Sequence, residues 1–147
     1  IRILEETQKL GWQPTMMASD GLLASAMTQH PHKLDLLDGL LASDLFHSDG
    51  RLTPFGYEMR KIYRKSHKGS GSAYAAMGIE SFGLLLEAMN RCENPLEREC
   101  VNREIRSTSG FEGLLGKISI GHDGKAKRPL IINKIRNDQL EFVVKVY

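Results

Sequence analysis

A carboxylate can receive the ammonium group of a small ligand when the chain presents it at the end of a buried strand. Asp20 is placed for that work. The apolar run Thr15-Met16-Met17-Ala18 is short enough for such a strand, Ser19-Asp20-Gly21 ends it, and a helical pattern follows over residues 22–29. In α/β proteins, the junction where a strand ends and a helix begins is the usual place for a ligand contact. The same aspartate suits a plain helix N-cap, and spacing alone favours the cap.

The other groups with chemical potential read more plainly. His30 and His32 with Asp35 have the chemistry of metal ligands, but Pro31 separates the two histidines in a predicted loop. The five histidines, at positions 30, 32, 47, 67 and 122, read as surface residues. Arg60, Lys61, Arg64, Lys65 and Lys68 gather around Tyr63. They read as the solvated face and end of a helix, where cations offset the macrodipole, rather than as a phosphate-tracking patch. Cys92 and Cys100 lack the CxxC spacing of a zinc site; they are either two independent thiols or a disulfide, and the spacing permits both. No serine or cysteine sits in a nucleophile-elbow context and no Gly-rich loop carries a P-loop lysine, so nothing points to an enzyme.

The 147 residues carry 20 Lys+Arg against 18 Asp+Glu, a net charge of +2, and 41% hydrophobic residues. That balance suits one ordinary domain with a buried core and argues against disorder. It also argues against a dedicated nucleic-acid binder, whose binding face would be strongly basic. No apolar run approaches the roughly 20 residues of a membrane-spanning helix. The first residue is Ile1, and helical spacing is already running through Ile3, Leu4, Thr7 and Leu10. The chain is therefore expected to be a piece of a longer protein, and no signal peptide is visible in it.

The elements that must position these groups follow from periodicity and punctuation. A helix over residues 1–10 stops at Gly11, and strands are expected over 15–18 and from Gly39 to Ser43. Thr53-Pro54 opens a helix with Phe55, Met59, Ile62 and Tyr63 on one apolar face, ending in a polar loop over 65–72. A second strong helix spans 73–91, with Ala76, Ile79, Leu84, Leu86 and Met89 among its apolar positions, and a third runs from Asn94-Pro95 to about Ser107. Strands at 118–120, 129–135 and 140–147 are separated by the turns Gly121-His122-Asp123-Gly124 and Asn137-Asp138. Helices and strands interleave before a β-rich tail, which predicts an α/β fold.

Four segments, in order, resemble type I periplasmic solute-binding proteins. Gly11 to Gly21 resembles that family's "G-hydrophobic-P … D/E-G" segment, and Leu37-Asp38-Gly39-Leu40 its "E-G-hydrophobic" crossover strand. The run Ser72-Ala73-Tyr74-Ala75-Ala76-Met77-Gly78-Ile79-Glu80 is similar to its "A-Y-A-A-x-x-Y-D-A" helix, with Ile79-Glu80 where the family has Tyr-Asp. Gly110-Phe111-Glu112-Gly113-Leu114-Leu115-Gly116-Lys117-Ile118 resembles its "F-x-G-x-x-G-x-I" turn and strand, and His122-Asp123-Gly124 and Arg128-Pro129 match the hairpin that follows. Only the C-terminal portion of a family member is matched.

The resemblance implies part of a two-lobed α/β fold, with helices packed on mainly parallel sheets and a β-rich C-terminal tail. It divides the chain into residues 1–38 in the C-terminal lobe, 39–109 as crossover strand and helices of the other lobe, and 110–147 returning across the hinge. The strands near 15–18 and 39–43 would then lie in different sheets or at the hinge. It implies an exported, periplasmic or extracellular receptor that captures an amino acid or related small molecule for the permease of an ABC transporter. No cofactor, metal or nucleic acid is implied. Asp20 would face the ligand ammonium, and Tyr74, opening a helix toward the cleft, is the second ligand-binding candidate, ahead of Met77 and Glu80. A ligand-sensing ectodomain of a receptor or regulator on the same fold is the alternative.

Overall fold

The computed structural model describes residues 1–21, 29, 35–67, 72–137 and 139–147. In chain order the described elements are α1 (Arg2–Lys9), β1 (Met17–Ser19), β2 (Leu41–Asp44), α2 (Pro54–Ser66), α3 (Ala73–Asn90), α4 (Arg98–Arg106), β3 (Phe111–Glu112), β4 (Lys117–Ile120), β5 (Ala126–Lys127), β6 (Leu130–Arg136) and β7 (Gln139–Val146). The α/β interleaving is as expected. The expected helix over 22–29, together with His30 and His32, lies almost wholly outside the described residues.

The chain forms two units, Ile1–Leu45 with Leu130–Val146, and Phe46–Pro129 with Tyr147. These bounds differ from the divisions expected after residues 38 and 109. Residues 41–44 pair with β1 on one side and β6 on the other, so they stay with the first unit. Residues 110–129 go with the helices of the second unit, to which Gly113 and Leu114 are hydrogen-bonded.

In the first unit the strand order is β1-β2-β6-β7. β1 and β2 are parallel neighbours, Met17 opposite Leu41 and Ser19 opposite Ser43. The expectation of different sheets is thereby corrected. The pairing joins segments far apart in sequence, which local pattern does not reveal. β6 runs antiparallel to β2 and β7 antiparallel to β6, so the sheet is mixed. Ile132 pairs with Val144 and Asn133 with Phe142, which leaves Val143 as the extra residue of a bulge. Strand periodicity puts Ile131, Asn133 and Ile135 on the buried face of β6. Leu37, Leu40, Ala42 and Ile135 form the core there, with Ile1 and Leu4 of the first helical segment packed against them. α1 ends where Gly11 takes a φ of +62°, a conformation that costs glycine least.

The second unit starts from a doubly used threonine. Thr53 Oγ1 accepts the Gly56 N–H at 3.0 Å, capping α2, and donates to the Gly113 carbonyl at 2.7 Å. Its own N–H reaches the Leu114 carbonyl at 2.9 Å. Gly56 is buried against that same turn; a Cβ there would stand 3.1 Å from Leu114 Cα, with the Leu114 carbonyl oxygen closer still. Of the expected apolar face of α2, Phe55, Met59 and Tyr63 are half-buried, while Ile62 is exposed. Ser72 caps α3 by accepting the Ala75 N–H at 3.3 Å. Phe55 and Phe111 meet edge-to-face at 6.4 Å, and the ring of Phe111 lies over Gly83 of α3.

A disulfide joins Cys92 to Cys100 across the α3–α4 connection, with Cα atoms 6.1 Å apart, which decides between the two readings of the cysteines. Arg91 bridges the same helices, reaching Glu87 at 2.8 Å and Glu104 at 3.2 Å. The expected 121–124 turn is present, but it joins β4 to the unpredicted two-residue strand β5 and not to the strand expected over 129–135, which lies in the sheet of the first unit. Within the turn, Asp123 accepts the Lys125 N–H at 3.1 Å and pairs with its ammonium at 3.2 Å, which together hold its carboxyl below the ordinary value.

Candidate functional site

Asp20 follows directly on β1 and is half-buried. Because β1 and β2 are parallel, their carboxyl ends coincide. Ser19 pairs with Ser43, and Asp20 and Asp44 are the next residues along the two chains. Two hydroxyls and two carboxylates thus gather at the end of a parallel strand pair, where open α/β sheets bind ligands. Asp44 Oδ1 also accepts the Leu45 N–H at 2.6 Å. Ser43 and Asp44 went unnoticed in the sequence because their relation to Asp20 exists only through the pairing.

Tyr74 is the second residue of α3, in the second unit, and 63% exposed. Its ring is open to solvent, with the aromatic body and phenol that suit a binding surface. Glu80, two turns further along, is committed elsewhere. Its side chain is buried, Oε2 pairs with Arg128 Nη2 at 2.7 Å, and Oε1 accepts the Leu114 N–H at 2.7 Å. It is an internal tie between α3 and the 113–114 turn. Gly113 leaves room for it, since a Cβ there would stand 2.7 Å from Glu80 Oε1.

Among the described residues, no group of three or more His, Cys, Asp or Glu could hold a metal ion. A cavity of about 590 Å³ opens at the opposite, amino ends of β1 and β2, lined by Leu4, Trp12, Met16, Asp38, Leu40 and Lys134. Asp20 is not part of it. Of the basic cluster, Arg60 donates to the Ser48 carbonyl at 3.0 Å and lies 5.0 Å from the centre of the Tyr57 ring, while Tyr63 stacks on His67. These contacts are internal to the second unit.

The chain has the fold of a portion of solved substrate-binding proteins, a periplasmic binding protein type 1 from Bordetella pertussis among them. It superposes on a leucine binding protein from Thermotoga maritima with a TM-score of 0.79 at 24% identity, over 98% of this chain and 40% of that one. An ABC transporter substrate-binding protein from Desulfitobacterium hafniense gives 0.80 at 17% identity, over 97% and 39%. A branched-chain amino acid transporter substrate binding protein from Streptococcus pneumoniae, in complex with isoleucine, gives 0.71 at 17%, over 97% and 40%. The chain thus spans about two-fifths of the length of these neighbours. No protein-family model and no curated protein sequence matches the chain.

Proposed function

We propose that the chain is part of a solute-binding receptor that captures an amino acid or related small molecule for an ABC transporter, without chemistry on the ligand. The observation that carries this reading is the superposition of nearly the whole chain on substrate-binding proteins, two of them in complexes with leucine and isoleucine. Asp20, beside Asp44 at the carboxyl end of the parallel pair, receives the ligand ammonium, and Tyr74 supplies a second contact. Recognition is binding with closure of the whole receptor, and the partner that takes the ligand onward is a membrane permease. The Cys92–Cys100 disulfide supports an exported, periplasmic or extracellular setting, because such bonds persist in oxidising compartments.

The test is titration calorimetry of leucine, isoleucine and valine into the complete receptor, with Asp20 intact and as Asp20→Asn, beside a melting curve. Asn caps a helix about as well as Asp, so the melting temperature should hardly move. Removing one side of a buried charge pair typically costs about 2–5 kcal/mol, or roughly 30- to several-thousand-fold in affinity. Equal affinity in both forms would reduce Asp20 to a cap.

A further inference from the structure

The end of α1 fixes the one tryptophan of the chain. The Gly11 N–H donates to the Gln8 carbonyl at 3.0 Å, and the Trp12 N–H to the Thr7 carbonyl at 2.9 Å. With Gly11 at a φ of +62°, this is a Schellman stop. The residue after the glycine in such a stop often packs an apolar side chain back on the last turn of the helix. The positions it would meet are Glu6 and Thr7, and Trp12 remains 62% exposed. Its backbone is held while its side chain stands largely in solvent.

Trp12 is part of the wall of the cavity of about 590 Å³ at the amino ends of β1 and β2. That volume lies in the range of small-molecule sites, roughly 300–1,000 Å³. Every lining residue belongs to the first unit. Leu4, Met16 and Leu40 give the cavity an apolar lining, and Asp35, Asp38 and Lys134 give it charge. The two aspartates are one turn apart, the Asp38 N–H donating to the Asp35 carbonyl at 3.2 Å. Asp38 Oδ1 accepts the Asn137 N–H at 3.1 Å, which ties that turn to the end of β6. Among the described residues no ion pair neutralises either carboxylate.

We propose that this cavity is a second small-molecule site, and that its ligand is an organic monocation: an ammonium on an apolar body, seated against Trp12 and drawn by Asp35 and Asp38. Indole is the aromatic side chain that holds a cation best, through the quadrupole of its ring. Lys134 sets one positive charge against the two negative ones, so the cavity as a whole attracts a cation and repels an anion. The site is separate from Asp20, which follows the other end of β1, and it does not depend on the receptor reading.

The test titrates phenethylamine, phenylalanine and 3-phenylpropionate into this chain, three probes that share a body and differ in charge. Fluorescence reads the cavity directly, because Trp12 supplies the whole indole signal. The chain carries a net charge of +2, so unspecific attraction would select the anion, and selection of the amine reports the cavity. Phenethylamine should give a saturating change and bind about threefold or more tightly than either other probe. Asp35→Asn with Asp38→Asn should weaken it by about three- to tenfold, the scale of two partly screened charge pairs, while Lys134→Met should tighten it by about two- to fivefold. Trp12→Leu, followed by calorimetry, should weaken it by about three- to thirtyfold. Asn at position 38 keeps an oxygen for the Asn137 N–H; should the double variant unfold nonetheless, Asp35→Asn alone decides, with a loss of about two- to fivefold.

A linear response that never saturates overturns the proposal, as do equal binding of the three probes and unchanged affinity in the aspartate variants. Tighter binding of phenylalanine or 3-phenylpropionate overturns it in favour of Lys134 as the anchor. Loss of the response in Asp20→Asn, with the Asp35 and Asp38 variants unaffected, places the amine at the carboxyl ends of the strands and overturns it as well.

Discussion

Replacing Glu80 tests how the second unit holds its 113–114 turn. The side chain is 4% exposed and its Arg128 partner 14%, so neither charge is screened by water to any great extent. Glu80→Ala takes the carboxylate from a buried guanidinium and, at the same time, the acceptor from the Leu114 N–H. Breaking one side of a buried ion pair costs about 3–5 kcal/mol, within which an unsatisfied N–H accounts for about 1–3 kcal/mol. At this chain length 1 kcal/mol moves the melting temperature by about 2–4 °C, so a loss of about 6–20 °C is expected. Glu80→Gln keeps an oxygen for Leu114 and loses only the charge, so it should fall between Ala and the native residue. The double change Glu80→Met with Arg128→Met removes both charges together and should recover most of the loss, because apolar replacement of a buried pair is often neutral. Calorimetric or circular-dichroism melts of the four proteins read all three differences. If Glu80→Ala melts within about 2 °C of the native chain, or the double variant is the worst of the set, the tie does not work as described.

Gly56 and Gly78 should respond to alanine in opposite directions. At Gly56 the new methyl meets Leu114 backbone, which has little room to give, and a loss of about 1–3 kcal/mol is expected, whereas Gly78→Ala fills open space inside a helix and should gain about 0.5–1 kcal/mol in the chain alone. Paired melting curves check the signs, and equal signs would refute the packing. The Cys92–Cys100 bond closes a separation of eight residues, so Cys92→Ser with Cys100→Ser should cost about 2–3 kcal/mol in denaturant unfolding. Thiol counting on unreduced, unfolded protein should find none. The Asp123 carboxyl should titrate below its ordinary 3.8, chiefly through the Lys125 N–H and then the Lys125 ammonium. Since the folded pKa is the depressed one, these contacts hold the turn above the ordinary carboxylate pKa and are lost as pH falls through the lowered value. An NMR titration of Asp123 at the ordinary value would contradict the contacts.

Local signals were legible wherever a short-range interaction decides the outcome. Thr53-Pro54 and Ser72 start helices because their hydroxyls accept N–H groups three residues on. Gly121 and Gly124 mark a turn because the chain reverses within it. What stayed hidden depends on contacts across long stretches of chain. β1 begins at Met17 rather than Thr15 because its length is set by the pairing with β2, which starts opposite Leu41. Ile62 follows helical spacing yet faces solvent, since Gly56 determines which side of α2 approaches the 113–114 turn. Glu80 could be noticed as an acid within an apolar helix, but its partner Arg128 lies beyond four further elements, α4, β3, β4 and β5. At the candidate site, Asp20 was legible from the strand–helix junction, whereas Ser43 and Asp44 required the parallel register.

The path of the chain through its two units also fixes an order of assembly during synthesis. β2 leaves the growing chain early, but its antiparallel neighbour β6 is made only after the whole of residues 46–129. The second unit is complete but for Tyr147 when Pro129 emerges, and it can condense on contacts of shorter sequence separation. The first unit must hold β1 and β2 with one edge unsatisfied until the last hairpin arrives. Long-range strand pairing is the slow class of folding event, and unpaired strand edges are the segments most exposed to misassociation while they wait. Translation speed and chaperone access over residues 46–129 therefore bear on the fate of a sheet to which those residues contribute no strand.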